Sequence, residues 1–97
     1  MSADGGEVIH DEARRRFIVR TGTGREAVLE YAWAAGRALD LRHTWVPPEH
    51  RGRGIASVLV EAALAYAKAN GYRIVATCPF VAAYVRANPE HEALLAR

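Results

Sequence analysis

Cysteine and long apolar runs are both scarce in this chain, and each shortage removes a class of protein. Cys78 is the only cysteine among 97 residues, so no disulfide forms within one copy and no cysteine-built zinc site is convincing. No run of about 18 apolar residues occurs, so no membrane-spanning helix is expected. The start, Met1-Ser2-Ala3-Asp4-Gly5-Gly6-Glu7, lacks the apolar centre of a signal peptide and reads as a flexible arm. Charge of one sign is also scarce. The net charge is +2. Residues 1–50 hold seven Lys/Arg against eight Asp/Glu, and residues 51–97 hold six against three, so the positive excess lies in the second half. That suits a small anionic ligand better than a long nucleic acid, which needs a broad basic surface. No repeat, linker or low-complexity segment is present. One cytoplasmic domain over residues 8–97 is expected, with no membrane contact.

What remains is 51% hydrophobic residues, enough for one core in a small domain. Val8–Asp11 and Arg16–Arg20 read as strands around a Glu12–Arg15 turn. The basic run Arg14–Arg16 fits nucleic-acid contact on its face, but charge runs are usually solvated, and a hairpin end is favoured. After Thr21-Gly22-Thr23-Gly24, the stretch from Arg25 to Trp33 alternates. Ala27, Leu29, Tyr31 and Trp33 share one face, and Val28, Glu30 and Ala32 the other. From Arg37 to Val46, alternation puts Leu39, Leu41, His43 and Trp45 opposite Asp40, Arg42, Thr44 and Val46. Pro47 and Pro48 end this meander.

From Arg53 to Asn70 the period becomes helical, with Ile55, Val58, Leu59, Ala62, Tyr66 and Ala69 as the stripe and Gly71 as the stop. Ala63, Ala65 and Ala67 favour the helix and allow close approach to a sheet. Tyr72–Thr77 is a further strand. Strand, glycine-rich turn, helix and strand form a β-α-β unit, so the strands holding Val46 and Ile74 should run parallel. Cys78-Pro79 opens a second helix to Ala87, and Asn88-Pro89-Glu90 opens a short last one that docks through Ala93, Leu94 and Leu95.

Two places invite chemistry. Arg51, Gly52, Arg53, Gly54, Ile55, Ala56 and Ser57 stand where a strand turns into the long helix. Helix-start N–H groups attract anions, and glycines let a ligand approach the backbone. The segment lacks the Gly-Lys-Ser/Thr ending of a phosphate-binding Walker loop and the spacing of a dinucleotide fingerprint. Cys78 stands at a strand end and a helix start, where the dipole favours thiolate; a lone cysteine is equally at home as a small buried apolar residue. His43 is a candidate base or a packed strand residue, and Tyr84 a core residue or a general acid. His10, His50 and His91 show no metal spacing.

Arg51-Gly52-Arg53-Gly54-Ile55-Ala56 resembles the acetyl-CoA signature Gln/Arg-x-x-Gly-x-Gly/Ala of the GNAT acetyltransferases. His43-Thr44-x-Val46-Pro47, Gly52-x-Gly54-Ile55-Ala56, Cys78-Pro79-Phe80-Val81 with Tyr84, and Asn88-Pro89-Glu90 together resemble the small YjdJ-like branch of that superfamily, across residues 8–97. The resemblance implies an α+β minimal GNAT fold with a mixed, mostly antiparallel sheet. It implies that backbone at Thr44 and Val46 meets the pantetheine arm of acetyl-CoA, that Arg51 to Ser57 hold its pyrophosphate, and that the thioester lies near Cys78. The implied activity is transfer of acetyl to an unidentified amine, a small molecule or a protein lysine, without a metal. Catalytic roles fall to Cys78 as base or acetyl carrier, Tyr84 as acid and His43 as a further base. The alternative is a CoA-binding interaction module with little transfer. The helices that usually lie between the family's first two strands are missing, which implies an open acceptor groove. The branch usually carries Glu where this chain has Trp45, and often His where it has Asn88. A monomer or weak dimer is expected.

Overall fold

A computed structural model describes residues 7–96, so the proposed flexible arm lies almost wholly outside the described residues. Five strands form one sheet in chain order: β1 (Val8–Asp11), β2 (Arg16–Arg20), β3 (Glu26–Ala34), β4 (Ala38–Trp45) and β5 (Arg73–Ala76). The first four pair antiparallel through tight turns. Strand β5 runs parallel to β4, as a helical crossover requires. That crossover is α1 (Ile55–Asn70), and α2 (Pro79–Ala87) follows β5. The last turn, Pro89–Leu94, is a 3-10 helix rather than an α-helix. The outer edge of β5 is covered by the chain end, where the Ala96 N–H donates to the Ile74 carbonyl at 2.8 Å.

Both helices feed one core on one face of the sheet. Phe17, Val19, Leu29, Leu39, Leu41 and Ile74 meet Leu59, Val60, Leu64 and Val81 there, all 2% exposed or less. The other face carries no helix among the described residues.

The structure changes three side-chain assignments. The buried stripe of α1 is Ile55, Leu59, Val60, Ala63, Leu64 and Ala67. Val58 is 44% exposed, Ala65 and Ala69 are exposed, and Ala62 and Tyr66 only flank the core. A helix apolar on most sides offers several possible stripes, and close approach to the sheet selects the one carrying Ala63 and Ala67. At the chain end Leu94 and Leu95 dock while Ala93 stays exposed. The third change lies in β4. Glu30 pairs with His43 but Tyr31 pairs with Leu41, so Arg42 is an extra residue, a β-bulge. Thr44 therefore sits opposite the buried Leu29 and faces the core side with Leu39 and Leu41. His43 and Trp45, opposite Glu30 and Val28, turn to the helix-free face. Simple alternation along β4 predicts the opposite face for each of these three residues, and the bulge reverses it. Strand β4 also ends at Trp45, one residue before Val46, and α1 starts at Ile55 rather than Arg53.

Candidate functional site

The β4–β5 ladder stops at Leu41 and Ala76. The Cys78 N–H still reaches the Leu41 carbonyl at 2.8 Å, and past that point the strands part. A cavity of about 430 Å³ occupies the space beyond, lined by Thr44, Trp45, Val46, His50, Arg51, Gly52, Gly54, Ile55, Ala56, Ser57 and Phe80. It gathers every sequence-predicted ligand-holding residue except Arg53 into one wall.

The start of α1 forms that wall. Gly54 is the cap residue at φ 81° and supplies no side chain to the helix N–H groups. The first turn holds no acidic residue. Gly52 also has φ 81°, and a Cβ built on either glycine meets nothing within 4 Å. The backbone here needs glycine for its left-handed turns, and the room above it stays open. Uncapped N–H groups at the positive end of a 16-residue helix make an anion-holding surface. The pyrophosphate of a CoA molecule fits that donor set.

The loop that feeds this turn is braced. Arg51 Nε donates to the Val46 carbonyl at 2.8 Å, closing the segment around Pro47 and Pro48. Arg25 Nη1 reaches Glu49 at 3.1 Å and its guanidinium lies 5.5 Å from the Trp45 ring centre. Thr23 Oγ1 contacts Glu49 at 3.3 Å and His50 Nε2 at 3.2 Å. The hydrogen bond from its own backbone N–H, against the effect of burial and helped by Arg25, holds the Glu49 carboxyl below the ordinary range. The β2–β3 turn thus fixes the rim of the cavity. His50 (6% exposed) lines the site without being named for it in the sequence, while Trp45 and Phe80, tied to it there only through the family motifs, line it too. For His50 the only signal was its place between Pro48 and the first arginine of the cradle.

Cys78 stands behind the cavity rather than on its wall. It caps α2, is 5% exposed, and its Sγ lies 3.5 Å from Thr44 Oγ1. Burial pushes the thiol up, but the Thr44 hydroxyl and the backbone N–H groups of Val81, Phe80 and Thr44 outweigh it, and the net shift is downward. The helix-start N–H groups act here through their dipoles, since no cap hydrogen bond closes.

Tyr84 lies one turn beyond Phe80 on α2, and its hydroxyl donates a hydrogen bond to Glu61 on α1. His91 Nε2 joins the same carboxylate at 3.0 Å. Burial and the Glu61 carboxylate push the Tyr84 phenol up to about 12. In return the Tyr84 hydrogen bond holds Glu61 low, against burial and with help from His91. His43 is exposed on the helix-free face, across from Glu30, and is not on the cavity wall. The structure therefore brings Thr44 and Cys78 together, turns the Tyr84 hydroxyl to Glu61, and sets His43 on the opposite face of the sheet. No group of three metal-ligating side chains occurs among the described residues.

Comparison with known proteins bears on this geometry. A family model described as GCN5-related N-acetyl-transferase matches residues 16–94. Protein NATD1 of Gallus gallus is 43% identical over 84 residues, covering 86% of this chain and 76% of the relative. Protein NATD1 of Homo sapiens is 43% identical over 83 residues (84% and 74%), and that of Danio rerio 36% over 88 (90% and 80%). The solution structure of a GCN5-like protein from Staphylococcus aureus superposes with a TM-score of 0.74 at 22% identity, covering 99% of this chain and 91% of that one. That likeness shows the mixed five-stranded fold.

Proposed function

This chain belongs to the GCN5-related N-acetyltransferase family, and from that premise we propose that it binds acetyl-CoA at the start of α1 and transfers the acetyl group to an amine. The observation that carries the reading is the uncapped, acid-free start of α1 opening into the cavity where β4 and β5 part. The N–H groups of residues 55–57 and the turn Arg51–Gly54 would hold the pyrophosphate. Backbone at Thr44 and Val46, beyond the last rung of the β4–β5 ladder, would meet the pantetheine arm, with the Val46 carbonyl already held by Arg51. Bound acetyl-CoA supplies an acyl group already activated as a thioester, so the protein's task is to hold and orient. The acceptor nitrogen must lose one proton and the departing sulfur gain one. Cys78, its thiol lowered and beside Thr44, is the candidate to take or pass the proton.

A second reading, a CoA-binding module with little transfer, has its own observation. The Tyr84 proton is committed to Glu61, and Cys78 lies off the cavity wall. One experiment separates the two. The protein is incubated with labelled acetyl-CoA, intact mass is checked for acetyl on Cys78, and turnover is measured with spermidine, a lysine peptide and small amines. Turnover with any of them is the expected result. Saturable CoA binding with no transfer to any acceptor would support the module. Full turnover in Cys78→Ala would remove Cys78 from the chemistry.

A further inference from the structure

We propose that a second cavity, walled by α2, the last turn and the end of β5, binds a small zwitterion with an apolar body, its carboxylate on Arg86 and its ammonium on Glu92. The chemistry is that of an aliphatic amino acid. This cavity holds about 350 Å³ and shares no lining residue with the one at the start of α1. Its volume falls in the roughly 300–1,000 Å³ range of small-molecule sites. Binding here is independent of the acetyltransferase reading.

The body of the cavity is hydrocarbon. Ala82, Val85 and Arg86 stand at three- and four-residue steps and share one face of α2. Ala76 ends β5 and Leu95 follows the last turn, and both line the same space. Its walls are pinned before any ligand arrives. Asn88 donates its N–H to the Val85 carbonyl at 3.1 Å and its Nδ2 to the Tyr84 carbonyl at 2.9 Å, which fixes the corner between α2 and the last turn. Arg73 Nη1 donates to the Ala93 carbonyl at 2.7 Å, and Leu95 bridges to Ile74, so the far end is held to β5.

Two opposite charges stand on this apolar frame. Arg86 comes from the last turn of α2 and Glu92 from the 3-10 turn after it. Both are exposed, and neither side chain forms an ion pair or a hydrogen bond among the described residues. A cation and a carboxylate on one apolar cavity complement a ligand that carries the opposite pair on a short hydrocarbon. The guanidinium fork suits a carboxylate, and a primary ammonium offers three donors to Glu92. A free α-amino acid presents the two groups on one carbon, and an ω-amino acid presents them at the ends of a chain.

The test reads binding without needing turnover. The full chain is titrated with two zwitterions, leucine and 6-aminohexanoate, and with their matched cations, leucinamide and 1,6-diaminohexane, while backbone NMR shifts are followed. Shifts centred on Val85, Arg86, Glu92 and Leu95 are expected. Within at least one pair the zwitterion should bind about tenfold tighter than its cation, the size of a lost charged hydrogen bond. The pair with the tighter zwitterion tells whether the two charges sit on one carbon or at the ends of a chain. Arg86→Glu should reverse the order within that pair, weakening the zwitterion about tenfold or more and tightening the cation. Glu92→Gln should weaken both members about tenfold, because the ammonium is common to both. Both residues are exposed, so each variant keeps the fold. Opposite signs in Arg86→Glu are diagnostic, because a structural role weakens both ligands alike. Equal weakening of both by that variant, shifts outside this cavity, or no response to either zwitterion would overturn the proposal.

Discussion

The two ends of α1 are finished in opposite ways. At the C-terminal end Gly71, at φ 73°, sends its N–H to Lys68, and Tyr72 sends its own to Ala67 at 2.9 Å, a Schellman closure. Arg37 Nη2 takes the Asn70 carbonyl at 3.1 Å and stacks over Tyr72 at 5.2 Å. Around this end His10, Phe17, Tyr31, Trp33, Tyr66 and Tyr72 pack ring on ring. At the N-terminal end Gly54 caps with nothing, no acid stands in the first turn, and a cavity lies against the open N–H groups. One end spends its polar groups on the fold. The other keeps them for a ligand. The difference separates residues that stabilise from residues that bind, and each can be perturbed alone.

The largest effect should come from the closed end. Phe17→Ala removes a ring 2% exposed and stacked 4.1 Å from His10. It should cost about 3–5 kcal/mol in urea unfolding, while protein that remains folded keeps its CoA affinity. Next come the two glycines. Gly54→Ala and Gly71→Ala each force a left-handed φ on a residue with a Cβ, at about 1–2 kcal/mol, and neither Cβ meets a clash. Thermal unfolding should show both losses, and calorimetry should show weaker CoA binding in Gly54→Ala alone. If Gly71→Ala weakened CoA equally, the contrast between the ends would fail.

A subtler variant moves stability and binding in opposite directions. Ser57→Glu places an acid in the first turn of α1, where it complements the dipole by about 0.5 kcal/mol. The melting temperature should rise slightly, while CoA affinity falls about tenfold or more, as the carboxylate takes the N–H groups and repels the phosphates. The smallest effect concerns Cys78. Its thiol lies below the ordinary value, so iodoacetamide should react with half-maximal rate at a pH below that of an unperturbed cysteine. Thr44→Val removes the hydroxyl that favours thiolate and should move this midpoint upward. An unchanged midpoint would show that the helix-start dipoles alone set it.

Much of this was legible before any coordinates. Gly71 as the stop of α1, Cys78 or Thr77 as the cap before Pro79 (the fold selects Cys78), and the parallel β5 all follow from local rules about φ, proline and crossover connections. The cradle was legible too, because glycines and arginines where a strand meets a helix have a direct physical meaning. The faces of β4 were not. Leu39, Leu41, His43 and Trp45 alternate without a break in the sequence, and no residue at Arg42 announces an insertion. Only the register of β3 against β4 reveals the bulge. The brace of Thr23 and Arg25 on Glu49 and His50 joins residues more than 20 positions apart, and no local pattern encodes it.

Local chemistry thus determined where elements begin and end and where an anion would be held, since capping, turns and helix dipoles act over a few residues. Tertiary structure decided which side chains share a face, which stripe of α1 is buried, and that Thr44 meets Cys78 while Tyr84 turns to Glu61. Those outcomes depend on pairing register and on packing between distant segments, and those interactions exist only once the chain has closed on itself.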